Sequence, residues 1–248
     1  MSDAAALRQM IEAASRIAVF TGAGISTESG IPDFRGTNGV WTKMQPIMFQ
    51  DFVTSAEARR ETWRRRFAGD DTMRAAQPNR GHRAVALLVR QGKTQAVITQ
   101  NIDGLHQASG IPEAQVIELH GNSTYAHCLD CARRYEIGAL RVAFERDGDV
   151  PACTACGGLV KTATISFGQA MPAEPMRRAQ EETMAAELFI VLGSSLVVYP
   201  AAGFPEIAKR HGARLVIVNK QETPLDDMAD LVIRDGIGDV MATAVGLN

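Results

Sequence analysis

Short apolar runs punctuate the chain at residues 17–20, 96–99, 116–119, 188–192, 215–218 and 231–233. Each is too short for a globular helix and rich in aliphatic side chains, so each predicts a strand buried on both faces. Most of them end in Gly, Asn or Ser. Helical patterns lie between several of the runs. Residues 80–90, with Ala84, Leu87 and Leu88 on one face, predict one helix. Leu7, Met10, Ile11 and Ala14 predict another near the start, with Ser2 or Asp3 placed to cap it. Strands alternating with helices predict an α/β fold: a parallel sheet covered by helices on both faces. The polar residues at the strand ends are where such a sheet takes a ligand.

Two segments break the alternation. Residues 36–77 lack a clear strand and carry an arginine-rich helical stretch, and residues 121–161 hold the cysteines. Both read as insertions that together form a smaller module. The chain shows no internal repeat and no low-complexity tract.

Composition narrows the picture. Hydrophobic residues make up 46% and charged residues 22%, which permits a full core. A formal net charge of −2 gives no broad attraction to nucleic acid or to an anionic membrane. The first residues lack the apolar centre of a secretory signal, and no run approaches the ~18 apolar residues of a membrane span. A cytoplasmic protein with no membrane partner is expected. Arg59, Arg60, Arg64, Arg65 and Arg66 invite a nucleic-acid reading. A solvated helix face over a Trp63 and Phe67 stripe is the simpler account, so no nucleic-acid partner is expected, and the chain is taken as a monomer.

The cysteines form two C-x2-C pairs, Cys128 with Cys131 and Cys153 with Cys156. In a reducing compartment this spacing points to metal before disulfide. Four thiolates close a tetrahedral site, so the metal is one structural zinc ion and not a catalytic one. His127 stands beside Cys128 but is not needed as a ligand.

The first strand runs into Gly22, Ala23 and Gly24, followed by Ser26 and Thr27. Glycines allow a sharp turn and close approach to phosphate. Thr27 occupies the place where a redox dinucleotide fingerprint carries its third glycine, so a hydride-transfer site fits poorly. The loop continues through Asp33, Phe34 and Arg35, a guanidinium for a diphosphate beside a ring that can cover a heteroaromatic. A surface loop with Phe34 tucked inward and Asp33 paired to Arg35 is the plainer alternative. Two more polar clusters follow strands: Gln100, Asn101 and Asp103, then His120 and Asn122. His120 is the best general-base candidate, because imidazole titrates near neutral pH. His106 reads as a loop anchor, and His82 and His211 as helix residues.

Taken in order, GAGIS, GIPDFRG, TQNIDGLH, ELHG, the paired cysteine knuckles, GSSLVVYPAAGFP and IVN resemble the sirtuin (Sir2) family of NAD-dependent protein deacylases. The resemblance covers roughly residues 17–240. It implies a large Rossmann-like domain (1–35, 78–120 and 162–248) and a small domain made of a helical insert (36–77) and a zinc ribbon (121–161). It implies a lysine deacetylase that consumes NAD and yields the free lysine, nicotinamide and O-acyl-ADP-ribose. Protein mono-ADP-ribosylation, or removal of longer or acidic acyl groups, is the alternative. A zinc-ribbon binding module without turnover is a third reading, disfavoured by His120, Asn101 and Asp103.

Carried over by residue, the resemblance makes His120 the base, with Asn101 and Asp103 orienting the ribose and the nicotinamide amide. Gly22, Ala23, Gly24, Thr27, Asp33, Phe34 and Arg35 would form the NAD loop. Gln100 and Ile102 would complete the nicotinamide pocket. Gly193, Ser194, Ser195 and Asn219 would hold the adenosine half, with Ile237 near the adenine. An acyl-lysine protein or peptide would lie as a strand between Ser166, Phe167, Gly168 and Leu196, Val197, Val198, Tyr199. Thr162 and Gln169 depart from the family's P-x-V-V-x-F-G-E segment, at its proline and its acid. The Tyr-x-x-Arg pair of acidic-acyl members would fall on Arg66 and Gly69, so neutral acyl groups are expected, acetyl first.

Overall fold

In a computed structural model, which describes residues 2–36, 39–42 and 44–247, all six apolar runs become strands of one sheet. Met1 and Asn248, at the outer ends of the expected large domain, lie outside the described residues, as do Thr37, Asn38 and Lys43 of the expected insert. In chain order the strands are β1 (Ile17–Thr21), β2 (Thr94–Thr99), β3 (Val116–Glu118), β4 (Gly121–Cys128), β5 (Arg134–Glu136), β6 (Val160–Thr164), β7 (Leu188–Leu192), β8 (Arg214–Val218) and β9 (Leu231–Ile233). The order across the large sheet is β3, β2, β1, β7, β8, β9, and every neighbouring pair is parallel. The chain leaves β1 toward one edge and returns at β7 on the other side. The crevice beyond the ends of β1 and β7 is therefore a topological switch point, the place where a doubly wound sheet binds its ligand.

Strand alternation divides the core in two. Ile17 and Val19 face one side with Leu188, Ile190 and Leu192, against helices Asp3–Ala13, Arg80–Arg90 and Ile237–Val245. Ala18 and Phe20 face the other with Phe189 and Val191, against helices Ala173–Met184 and Phe204–Arg210. All five side chains of β7 are 0% exposed. Each of the larger ones contributes about 1.5–3 kcal/mol by burial, which is why a continuous apolar run becomes a central strand. Ser2 accepts the Ala5 amide and starts the first helix.

The interruptions build a second core. Strands β5, β4 and β6 pair antiparallel. Of helices Phe49–Thr54, Ala56–Ala68 and Asp70–Ala75, the second supplies Trp63 and Phe67, which pack with Ala126, Ile137, Leu140 and Val160 beside Cys128 and Cys153. Electrostatics fastens the same joint. The Asp70 carboxylate, 4% exposed, holds Arg66 at 2.7 Å and Arg141 at 3.3 Å. Arg66 also donates to the Ser123 carbonyl at 3.0 Å. The other arginines of the run are spent locally: Arg59 on the carbonyls of Phe52 and Val53, Arg60 near Asp149, Arg64 and Arg65 on Glu61.

Two histidines lie under the switch point. His82 caps helix Arg80–Arg90, its Nδ1 accepting the Asn79 amide at 3.4 Å. Its ring meets that of His106 edge to face at 5.1 Å, and both are buried. His106 Nε2 lies 2.9 Å from Thr21 Oγ1, which donates to Thr99 Oγ1. Burial pushes His82 down to about 4 and His106 down to about 3, so both are neutral in the fold. An unfolded histidine titrates near ~6.5, so below that pH the unfolded chain takes up protons that the native state refuses. Their stabilisation is present above pH ~6.5 and is lost as pH falls toward these lowered values. Urea unfolding should show a loss of roughly 2 kcal/mol from His106 alone between pH 7 and pH 5. The variant His106→Gln should be less stable at pH 7 but lose less on acidification; an equal acid loss in both proteins would rule this account out.

Candidate active site

The site begins with a contact between two turns. After β1, the Gly22 amide donates to the Leu192 carbonyl at 3.0 Å and the Gly24 amide to the Gly193 carbonyl at 2.8 Å. A Cβ on Gly22 would stand 2.7 Å from Gly193 O, and one on Gly24 would stand 2.6 Å from Gly193 Cα. Gly193 itself has φ +67°, in the left-handed region. Only glycines let the turn after β1 and the turn after β7 meet. The loop then runs on as a 3-10 helix, Ala23–Ser29. Asn79, the cap of the neighbouring helix, pins that segment by donating to Ile25 O at 2.7 Å and to Ser29 Oγ at 2.9 Å.

Beyond these turns opens a cleft of about 370 Å³. Its floor is Gly22, Ala23 and Gly24 after β1, Gln100, Asn101 and Ile102 after β2, and His120 after β3. Gly193, Ser194 and Ser195 after β7, and Asn219 after β8, extend it. Asp33, Phe34 and Arg35 form one wall, and Ser166, Phe167, Gly168, Val198 and Tyr199 form another. Five residues named from the sequence do not line it. Thr27 is exposed, and its hydroxyl bonds to Gly24 O at 2.9 Å, bracing the 3-10 turn. Ile237 and Leu196, 7% and 2% exposed, belong to the two cores of the large sheet. Val197 points outward, 45% exposed. Asp103 lies behind the floor.

Asp103 acts through a serine of the 3-10 segment that follows β1. Ser26, 1% exposed, donates to Asp103 Oδ2 at 2.7 Å and accepts from Asn101 Nδ2 at 3.2 Å. The other carboxylate oxygen takes the Leu105 amide at 2.9 Å. Asn101 is thus oriented by a buried chain anchored on a carboxylate. Gln100 Nε2 donates to Ser194 Oγ at 2.8 Å, tying the end of β2 to the end of β7.

His120 is the one histidine that lines the cleft among the described residues. Its Nδ1 lies 3.1 Å from the Gln100 carbonyl oxygen. A carbonyl only accepts, so in the neutral ring Nδ1 holds the proton and Nε2 keeps a free lone pair. Burial lowers the pKa of His120, and the Gln100 carbonyl opposes that shift. The ring is therefore a base held in one tautomer.

On the first wall, Asp33 Oδ1 accepts the Gly36 amide at 2.9 Å, closing a tight turn. A Cβ on Gly36 would stand 2.3 Å from Asp33 Oδ2. The Arg35 guanidinium lies over the ring of Trp41, 4.1 Å from its centre. Among the described residues, Asp33 and Arg35 do not form the ion pair of the plain surface-loop alternative, and the cation remains available to a diphosphate. Trp41, Thr164, Ile165, Met171 and Gln221 line the cleft as well and were missed. Trp41 stands in a stretch without periodicity, and a lone aromatic after the glycines Gly36 and Gly39 was the only signal for it.

The cysteines gather apart from the cleft. Their four sulfurs lie within 4.8 Å of one another, with Cys128 to Cys156 at 3.5 Å and Cys131 to Cys153 at 3.6 Å. Thiolates about 2.3 Å from a tetrahedral zinc are ~3.8 Å apart, so the cluster fits one such ion. His127 stands outside the cluster. The Tyr135 hydroxyl donates to Cys153 Sγ at 3.1 Å, an outer contact that steadies a ligand.

Comparison with known proteins agrees across almost the whole chain. A sequence model of the Sir2 family matches residues 22–200. NAD-dependent protein deacetylase 1 of Bradyrhizobium diazoefficiens is 59% identical over 240 residues, 97% of this chain and 94% of that protein. The NAD-dependent protein deacetylase of Rhodopseudomonas palustris is 57% identical over 240 residues, 97% and 95% of the two chains. Among solved structures, a Sir2–p53 peptide–NAD+ complex superposes with TM-score 0.85 at 38% identity, covering 96% of this chain and 95% of that one. A Sir2 variant with deacetylated p53 peptide and 3′-O-acetyl-ADP-ribose reaches TM-score 0.90 at 39% identity, covering 97% and 96%.

Metal analysis of the purified protein should return about one zinc per chain. The variant Cys153→Ser should lose that metal and unfold the small module at lower temperature, because Cys128 and Cys153 belong to its core. Full zinc content in the variant would remove Cys153 from the ligand set.

Proposed function

The chain belongs to the Sir2 family, and from that premise we propose that it is an NAD-dependent protein lysine deacetylase. The observation that carries the reading is His120, a buried imidazole lining the cleft with Nδ1 tied to a carbonyl and Nε2 free. NAD, when bound, supplies the glycosidic bond whose cleavage releases nicotinamide and leaves ADP-ribose to carry away the acyl group; with one water consumed, the products are free lysine, nicotinamide and O-acyl-ADP-ribose.

The chain's own residues divide the remaining work. Gly22, Ala23 and Gly24 let the backbone approach the diphosphate, and Arg35 balances its charge. Ser194, Ser195 and Asn219 take the adenosine half. Gln100, Asn101 and Ile102 take the nicotinamide side, with Asn101 aimed by Asp103 through Ser26. Phe34 covers the reacting ribose and excludes water. His120 Nε2 accepts a proton from a ribose hydroxyl as the acyl oxygen engages the sugar. The acyl-lysine peptide lies between Ser166–Gly168 and Val198–Tyr199 and is held by main-chain hydrogen bonds. Thr27 and Ile237 serve the turn and the packing beneath it, not the cofactor directly.

Neutral acyl groups suit this cleft. Arg66, at the position of the acidic-acyl tyrosine, is committed to Asp70 and the Ser123 carbonyl and is not among the lining residues. Among the described residues, Arg35 is the one cation that lines the cleft, and it serves the diphosphate. No helix among the described residues is long and apolar enough to cross a membrane. We place the enzyme in the cytoplasm as a monomer acting on acylated proteins, with no nucleic acid involved; the arginine run serves the fold.

Incubation with NAD and an acetyl-lysine peptide should release nicotinamide only when the peptide is present, together with O-acetyl-ADP-ribose. Label carried to protein in place of O-acetyl-ADP-ribose would favour ADP-ribosylation, and no release at all would sink the deacetylase reading. The variant His120→Ala should lose at least ~10²-fold in turnover with zinc and fold intact. Because burial lowers the pKa of His120, the base stays neutral to lower pH than a free imidazole. Turnover should therefore fall only as pH drops through a value below ~6.5.

A further inference from the structure

Trp41 stands between the two walls of the cleft. Its ring lies 5.0 Å from that of Phe34 and meets that of Phe167 edge-on at 5.2 Å, while the Arg35 guanidinium covers it at 4.1 Å. The backbone holds it there. The Trp41 amide donates to Phe34 O at 3.1 Å, and the Val40 amide donates to Asp33 O at 3.0 Å. This fold-back needs Gly39, where a Cβ would stand 2.5 Å from the Phe34 carbonyl carbon. Farther along the insert, the Phe49 amide donates to Phe167 O at 2.8 Å.

Phe34 and Arg35 follow β1, and Phe167 follows β6. Those strands belong to different sheets. One indole ring therefore joins the residues assigned to NAD with the segment assigned to the peptide. A peptide lying along Ser166–Gly168 would fix the Phe167 ring. Trp41, packed against that ring, would then hold Phe34 and Arg35 in the positions that grip the dinucleotide. We propose that Trp41 is a positioning residue that couples binding of the acyl-lysine peptide to binding of NAD. The inference rests on the deacetylase reading, yet it concerns an affinity ratio and not the chemistry itself.

Calorimetry with carba-NAD, an analogue whose nicotinamide bond does not cleave, reads that ratio directly. In the wild type, a saturating acetyl-lysine peptide should tighten carba-NAD by about 5-fold or more. The variant Trp41→Leu, which keeps apolar bulk but loses the ring, should bring the ratio close to one. Trp41→Phe should retain most of the effect. In steady state, Trp41→Leu should raise the KM for NAD by more than it lowers kcat, with an unchanged melting temperature as the control on folding. A Trp41→Leu ratio equal to that of the wild type would overturn the inference, as would a wild-type ratio of one. Nicotinamide release by the wild type scores the deacetylase reading independently: turnover without coupling removes only the role of Trp41.

Discussion

The contact of Gly22 and Gly24 with Gly193 is the constraint on which the site depends. Two turns that follow neighbouring parallel strands ordinarily splay apart, because side chains fill the space between them. Here a Cβ on any of the three would fall at 2.4–2.7 Å from backbone atoms of the facing turn. With the turns in contact, the β2 turn is drawn in through Gln100 and Ser194, and His120 is aligned by the carbonyl of that same Gln100. Backbone distance at the switch point is thus linked, through Gln100, to the tautomer of His120 at the end of β3.

Ser26, Thr99, Asn101 and Asp103 under the floor are bonded to one another. Ser26 serves Asn101 and Asp103 together, and Thr99 accepts both the Thr21 hydroxyl and the Asn101 amide. Such a chain is costly to break, since a lost member leaves a desolvated donor or acceptor behind. It holds Asn101 rigid at the cleft surface. The walls are built differently, from exposed aromatic rings and turns, with Phe34 38% exposed and Tyr199 65% exposed. Floor and walls therefore differ in exposure as well as in origin.

The sheet was legible in the sequence because its strands are covered on both faces and read as unbroken apolar runs, and the zinc knuckles because ligand spacing survives without any fold. Other parts were not. Ser26 reaches Asp103 across 77 positions, and no local pattern announces a contact of that range. The family resemblance made Leu196 and Ile237 ligand contacts, but side-chain direction sends both into the cores. Trp41 escaped notice because a loop imposes no period by which a buried or bridging aromatic can be told from an exposed one. Motif order carried the chemistry, while the assignment of each side chain to floor, wall or core needed three dimensions.

The small module contributes Trp41 to the cleft, while the large sheet contributes His120 and the glycine turns. The two have separate cores, so substitutions in one leave the packing of the other nearly untouched. Selection can then rework the packing of the small module with little effect on the sheet beneath the glycine turns, except at Trp41, whose ring touches both walls of the cleft. A lineage built on this plan can diversify its targets while its reaction stays the same.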